Sequence, residues 1–348
     1  DVLVIGLGSG ITLGTVTQFN EVLNIDAVEI DPAIVKATDY FKEDNHNALN
    51  DPRVNTIIAD GRNYLTLSDK KYDVITTQPS NFWISGNAAL LTKEFYEIAE
   101  SHLNEGGIIL QWIQGYAVES ENIKAVIKTL KEVFPQAYLF DSMSAGDLFL
   151  VASRSEEPIL NFDVLREKFE SQKVLEELRR IYINNPYDIF LNLSASDIEL
   201  EDYSRNAPIH TDDRLFIEYS APKAFYQNTT PRLLEDLQTL HGRINLSEII
   251  LGGDKEVLIT NHSFADDLYK VKIAFAEDDF LQTLESYKEA VKGGQSQPLV
   301  ERHIIKRCNV IAQYAQFGEG LDAANKIWEL CFSAVGANTI EQKNKDEI

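Results

Sequence analysis

Hydrophobic positions open the chain as a nearly unbroken β-branched run, Val2-Leu3-Val4-Ile5, and return in short apolar runs at 27–30, 54–59, 72–77, 107–113, 137–140 and 148–152. Runs of this length with little polar alternation suit strands buried on both faces, as in a parallel sheet covered by helices. Between them the spacing turns helical. Residues 11–19 follow the first run, and Ile123, Val126, Ile127 and Leu130 recur at i, i+3, i+4 and i+7, one apolar helix face that Ser120 is placed to cap. The alternation predicts an α/β fold: a doubly wound, mostly parallel, Rossmann-like sheet of seven strands. Only Asp141 to Asp147 separate the last two runs, too few residues for a crossover helix. Those two strands are expected as an antiparallel pair at the sheet edge.

Residues 1–155 make up this first domain. Residues 156–252 carry helical stretches at 162–182 and 231–241 around a polar loop, His210-Thr211-Asp212-Asp213, and read as an extension packed on the sheet. Gly252-Gly253-Asp254 marks the next boundary, and 253–348 reads as helical. Two stretches there, Ala274-Phe275 to Tyr287-Ala290 and Tyr314-Ala315 to Ala324-Trp328, share a loose pattern. A tetratricopeptide-like helix pair and a plain helical cap both remain open, because two degenerate units fall short of a repeat array.

A chain of 348 residues with 44% hydrophobic content supports a sizeable core and two or three domains. No stretch approaches the roughly 18 uninterrupted apolar residues of a membrane span, and no secretory signal precedes Asp1. The covered chain therefore reads as soluble, not membrane-spanning. It opens on a core strand without a Met, a cap or an edge strand, which suggests a fragment. The net charge of −23, from 32 Lys and Arg against 55 Asp and Glu, argues against a nucleic-acid partner. It either suits a cationic substrate or serves surface solubility alone. Cys308 and Cys331 have no metal-ligand spacing, so neither a disulfide framework nor a zinc site is expected, and a reducing, cytoplasmic compartment fits.

Chemistry concentrates where strands end. Gly6, Gly8 and Gly10 follow the first strand directly, where the backbone must turn sharply and approach a nucleotide or nucleoside. Glu29 ends the second strand, and a carboxylate there accepts both hydroxyls of a ribose. Asp31 can do the same or cap the helix that begins at Pro32. Asp60-Gly61 ends the third strand, where the acid suits an exocyclic amine and the glycine clears space for a ring; a plain helix cap is the alternative. The fourth strand runs into Gln78-Pro79-Ser80-Asn81-Phe82-Trp83, a loop able to shape a substrate pocket, with Trp83 either facing substrate or wedged into local core. Gln111, with Gln114 beyond it, ends the fifth strand as a candidate substrate-binding residue.

These segments in this order resemble the spermidine synthase family of polyamine aminopropyltransferases, which share the class I S-adenosylmethionine-dependent methyltransferase fold. The likeness covers about residues 1–153 and is carried by GLGSG, VEIDP, IIADGRNYL and YDVITTQPSNFWISGNAALLTKEFYEIAESHLNEGGIILQWIQ. It extends loosely to His210-Thr211-Asp212-Asp213, similar to a segment of a bacterial branch that is frequently joined to a membrane-spanning portion. Such an origin would account for the abrupt start. By this resemblance the co-substrate is S-adenosylmethionine or its decarboxylated form, with Glu29 on ribose, Asp60 on adenine, and Gly6, Gly8, Ser9 and Gly10 near the sulfonium. An amine displaces methylthioadenosine in line, and no metal is required.

The sequence departs from the family where the proton must go. The aminopropyltransferases place aspartates where this chain has Gln78 and Asn81, and an acid in the glycine loop where it has Ser9. Neither amide takes a proton, and losing a general base typically removes a factor of about 10² to 10⁴. Substitute groups are Asp213, Asp212, Asp141 and His210, each of which equally suits a solvated loop or a structural role. Three readings stay open: an aminopropyltransferase, a methyltransferase, and a nucleoside-binding scaffold whose C-terminal helices dock a protein partner. A homodimer is compatible with all three. A dehydrogenase would share the glycines, but the LTKEFY segment and the short link before the seventh strand fit a transferase better.

Overall fold

The computed structural model describes residues 1–142, 146–155 and 159–336. The domain start at 156 and the tail at 337–348 lie outside the described residues. One sheet organises the molecule, with strands β1 (Val2–Ile5), β2 (Ile25–Glu29), β3 (Val54–Ile58), β4 (Tyr72–Thr77), β5 (Leu103–Gln114), β6 (Gln136–Asp141), β7 (Asp147–Ser153) and β8 (Leu193–Ala195). Their order is β3-β2-β1-β4-β5-β7-β6-β8. Strands β1 to β5 pair in parallel, while β7 runs antiparallel between β5 and β6.

The expected antiparallel pair is therefore present, but it is not the sheet edge, and the sheet has eight strands. β8 adds to β6 from the extension, its Leu193 packed with Tyr138, Phe162 and Phe190. Three residues leave no periodic signal, which is why the pattern stops at seven.

Helices α1 (Ile11–Thr17), α2 (Pro32–Ala37), α3 (Gly61–Leu67), α4 (Lys93–Ser101) and α5 (Ser120–Lys131) connect the first six strands. Ile123, Val126, Ile127 and Leu130 of α5 are fully buried against the sheet with Phe95 and Tyr96 of α4, in one cluster with Leu3, Ile75 and Ile109. Ser120 is not the cap: Glu119 precedes the helix and Ser120 is its first residue.

The extension holds α6 (Phe162–Lys168), α7 (Gln172–Arg180), α8 (Asp197–Ser204), α9 (Phe216–Ser220), α10 (Thr230–His241) and α11 (Leu246–Ile249). The stretch at 162–182 is thus two helices, not one. Gly252 and Gly253 take positive φ, and the Asp254 side chain then accepts from Glu256 N and Val257 N to start α12 (Lys255–Ala276). Then follow α13 (Phe280–Ala290), α14 (Pro298–Glu319) and α15 (Leu321–Val335). α12 faces two ways. Tyr269 joins the sheet core, whereas Phe264, Leu268 and Val271 pack with Leu284, Tyr287 and Ile304.

The cysteine expectation is corrected here. Folding α15 back along α14 brings Cys308 and Cys331, 23 residues apart, into a buried disulfide with Cα atoms 6.5 Å apart. The thiols then lend no support to a reducing compartment. No helix among the described residues is long and apolar enough to cross a membrane.

Candidate nucleoside site

β1 connects towards β2 and β3 on one side while β4 and β5 lie on the other, so the strand order reverses between β1 and β4. Crevices at such a switch point bind ligands at the carboxyl ends of the strands. Here Ile5 leads into Gly6 (φ 87°), whose amide donates to Val28 O, while Gln78 N donates to Ile5 O. A Cβ on Gly6 would sit 2.7 Å from Gln78 O, so only glycine lets the two strand ends meet this closely.

Glu29 is 8% exposed at the end of β2. Its Oε2 accepts Leu7 N at 2.9 Å and its Oε1 accepts Asp31 N at 3.0 Å. Each carboxylate oxygen keeps acceptor capacity, so the glycine loop and helix start fix the group while lone pairs stay available on it. Asp31 Oδ1 takes Ala33 N at 2.8 Å and caps α2. Asp60 Oδ1 takes Asn63 N at 2.8 Å and caps α3, yet Asp60 also lines the cavity. Gly61 answers a packing demand, since a Cβ there would lie 2.4 Å from Ile5 Cγ2.

The cavity measures about 550 Å³, within the range of small-molecule sites. Gly6, Gly8, Glu29, Asp60, Gly61 and Gln78 line it together. Ser9, Gly10, Asp31, Asn81, Trp83, Gln111 and Asp213 are not among its lining residues. Ser9 O instead accepts Asn45 Nδ2 at 2.9 Å. Gln111 is fully buried, its amide donating to Trp112 O and accepting from Tyr96 OH. The Gln78 amide faces the Thr12 hydroxyl, with Nε2 at 2.8 Å. Asn81 Nδ2 donates to Tyr116 OH, and Trp83 stands edge-on to Phe225 with centroids 4.8 Å apart.

Three of the four substitute bases have other employment. His210 is fully buried; Ile217 N donates to its Nδ1, so Nε2 carries the hydrogen that goes to Ala88 O at 2.9 Å. Burial also pushes its pKa down, so the ring is a neutral structural bridge. Asp212 pairs with Arg62, and that guanidinium holds its carboxyl below the usual range. Asp141 is paired with Lys272, and Asp213 is exposed.

Sequence reasoning passed over Arg62, which lines the cavity, and Glu218, which accepts from Ser85 Oγ at 2.8 Å. Arg62 follows Asp60-Gly61 directly, so its place at a strand end was a usable signal. Glu218 lies 133 residues from Ser85, and no pattern links them.

The sheet order, switch-point cavity and strand-end acids define an α/β domain of class I methyltransferase type. Residues 1–143 match the family model described as a spermine/spermidine synthase domain, which bears out the resemblance over that part of the chain. A polyamine aminopropyltransferase of Alkaliphilus oremlandii is 33% identical over 166 residues, 46% of this chain and 58% of that protein. One from Clostridium perfringens is 33% identical over 171 residues, 47% of this chain and 60% of the relative. The chain thus spans less than two thirds of the length of these curated relatives. Among solved structures, the spermidine synthase from Thermotoga maritima matches with a TM-score of 0.39 and 21% identity, covering 64% of this chain and 67% of that one.

Proposed function

We propose that this chain binds an S-adenosyl nucleoside and transfers the aminopropyl group of decarboxylated S-adenosylmethionine from the sulfonium to a small amine. The observation that carries this reading is that one cavity is bordered by Gly6 and Gly8, by Glu29 at the end of β2, and by Asp60 just past β3. Glu29 would hold the ribose hydroxyls, Asp60 the adenine amine, and the glycines would let the sulfonium lie against backbone. The amine nitrogen bonds to the carbon next to sulfur, the carbon–sulfur bond breaks, and its electron pair returns to sulfur as methylthioadenosine leaves.

The attacking ammonium must first lose a proton. Gln78 and Asn81 can orient it but not accept that proton. Asp213, exposed on the loop whose Asp212 is committed to Arg62, is the acid we keep for that role. Alignment within the cavity supplies the rest of the rate, as oriented reactants need no further ordering.

One observation favours a second reading, methyl transfer from intact S-adenosylmethionine. Beyond β4 the cavity is lined by Gln78, Pro79, Ser80, Ser85, Gly86, Asn87, Ala89 and Leu90, none of them acidic, so no lining carboxylate there pairs with an aminopropyl ammonium, whereas intact S-adenosylmethionine brings its own carboxylate. Calorimetric titration with decarboxylated S-adenosylmethionine, intact S-adenosylmethionine and methylthioadenosine side by side tests both. Preference for the decarboxylated form supports aminopropyl transfer, preference for the intact form supports methylation, and no binding leaves a scaffold.

A further inference from the structure

The two halves of the cavity are built differently. Glu29 and Asp60 stand at or just past the ends of paired strands, whereas the opposite wall is the loop at 79–91, which has no strand of its own. β5 and the residues after it anchor that loop early, through Phe82 N to Gln114 Oε1 at 3.0 Å and Asn81 to Tyr116 OH. Its middle is held from elsewhere. Ser85 Oγ donates to Glu218 Oε1 at 2.8 Å, and Gly86 N lies 3.3 Å from both oxygens of the same carboxylate. Gly86 sits at φ 87°, a left-handed turn that glycine adopts without strain. Glu218 belongs to α9, far beyond the residues matching the family model. The same segment reaches the site twice more, through His210 to Ala88 O and through Asp212 to Arg62.

We propose that Glu218 is a positioning residue for the acceptor: by fixing Ser85 and Gly86 it sets the wall against which the attacking nucleophile lies. The functional unit therefore includes residues 210–218 as well as the nucleoside-binding domain. The substrate side of this inference rests on the proposed transfer, whereas its geometric side does not.

The full chain carrying Glu218→Ala or Glu218→Gln tests it by amide exchange, by calorimetry with methylthioadenosine, and by transfer from decarboxylated S-adenosylmethionine to putrescine. Loss of a charge-assisted bond should speed exchange of amides 84–90 about ten-fold in Glu218→Ala and raise the putrescine KM by a similar factor. Methylthioadenosine affinity should change by less than about three-fold, because its contacts lie on the other half. Glu218→Gln, which keeps an acceptor oxygen, should recover most of both effects. Unchanged exchange at 84–90 in Glu218→Ala overturns the proposal, as does a loss of methylthioadenosine affinity equal to the loss for putrescine. If the wild-type chain binds no methylthioadenosine, the transfer reading fails by itself and the exchange comparison still decides whether Glu218 holds the loop at Ser85 and Gly86.

Discussion

Lys272 Nζ lies 2.5 Å from Asp141 Oδ2 with both side chains almost wholly buried, which ties the long helix α12 to the end of β6. The ammonium also sits 4.6 Å from the centroid of the Tyr269 ring. Removing one member of such a pair strands a charge in the interior, a loss of about 3–5 kcal/mol. Lys272→Met should therefore be strongly destabilised in urea unfolding. Adding Asp141→Leu should return most of that loss, since desolvating the pair offsets much of its attraction. A double variant as unstable as the single would show that the pair itself, and not the stranded carboxylate, sets the cost.

Glu29 lines the cavity, and its carboxylate also accepts Leu7 N and Asp31 N. Glu29→Ala should abolish methylthioadenosine binding and cost about 1–3 kcal/mol of stability by leaving an amide unpaired. Glu29→Gln keeps one acceptor oxygen and should weaken binding about ten-fold or more at a smaller cost in stability. Calorimetry and urea unfolding on both variants separate the two roles. Unchanged affinity in Glu29→Ala would remove the ribose assignment.

Under the proposed transfer, Gln78 stands where the aminopropyltransferases that this chain resembles carry a proton acceptor. Gln78→Asp should raise aminopropyl transfer from decarboxylated S-adenosylmethionine to putrescine by about 10² to 10⁴ if that absence limits the rate. The shorter side chain gives up the contact with Thr12, so methylthioadenosine affinity is measured alongside. A variant that binds the nucleoside and stays inert shows that the missing base is not the only obstacle.

Asp26, at the start of β2, is one of the carboxyls that the fold stabilises in its charged form. Burial pushes its pKa up, but Lys70, Asn55, Tyr72 and Tyr64 all donate to it and hold it below the ordinary carboxylate value. A carboxyl depressed in the folded state contributes stability above its unfolded pKa of about 3.9, and loses it as pH falls through the folded value. Stability should therefore drop as pH falls below about 4, and Asp26→Asn should flatten that part of the profile. An equally steep decline in Asp26→Asn, followed by thermal unfolding, would assign acid sensitivity to other groups.

Much of the fold was legible because buried parallel strands and amphipathic helices leave periodic traces. β1, β4 and α5 were readable from apolar runs or an apolar stripe, and Gly252-Gly253-Asp254 from turn chemistry. The lining of the cavity at the strand ends was legible for a related reason: in a doubly wound sheet, the residues that follow strands converge at the switch point. Glu29, Asp60 and the glycines hold such places, and chain order alone brings them together.

Contacts between distant segments had no such trace. β8 is too short to show a period, and Cys308 meets Cys331 only because α15 folds back on α14. Asp141 was eligible as a base until packing gave it Lys272, and His210 until burial and two backbone bonds fixed it as a neutral bridge. Local pattern determined the elements, their order and the residues at strand ends, because those depend on near neighbours along the chain. Tertiary packing decided which polar groups are spent on the fold and which still face the cavity, because that depends on partners dozens or hundreds of residues away.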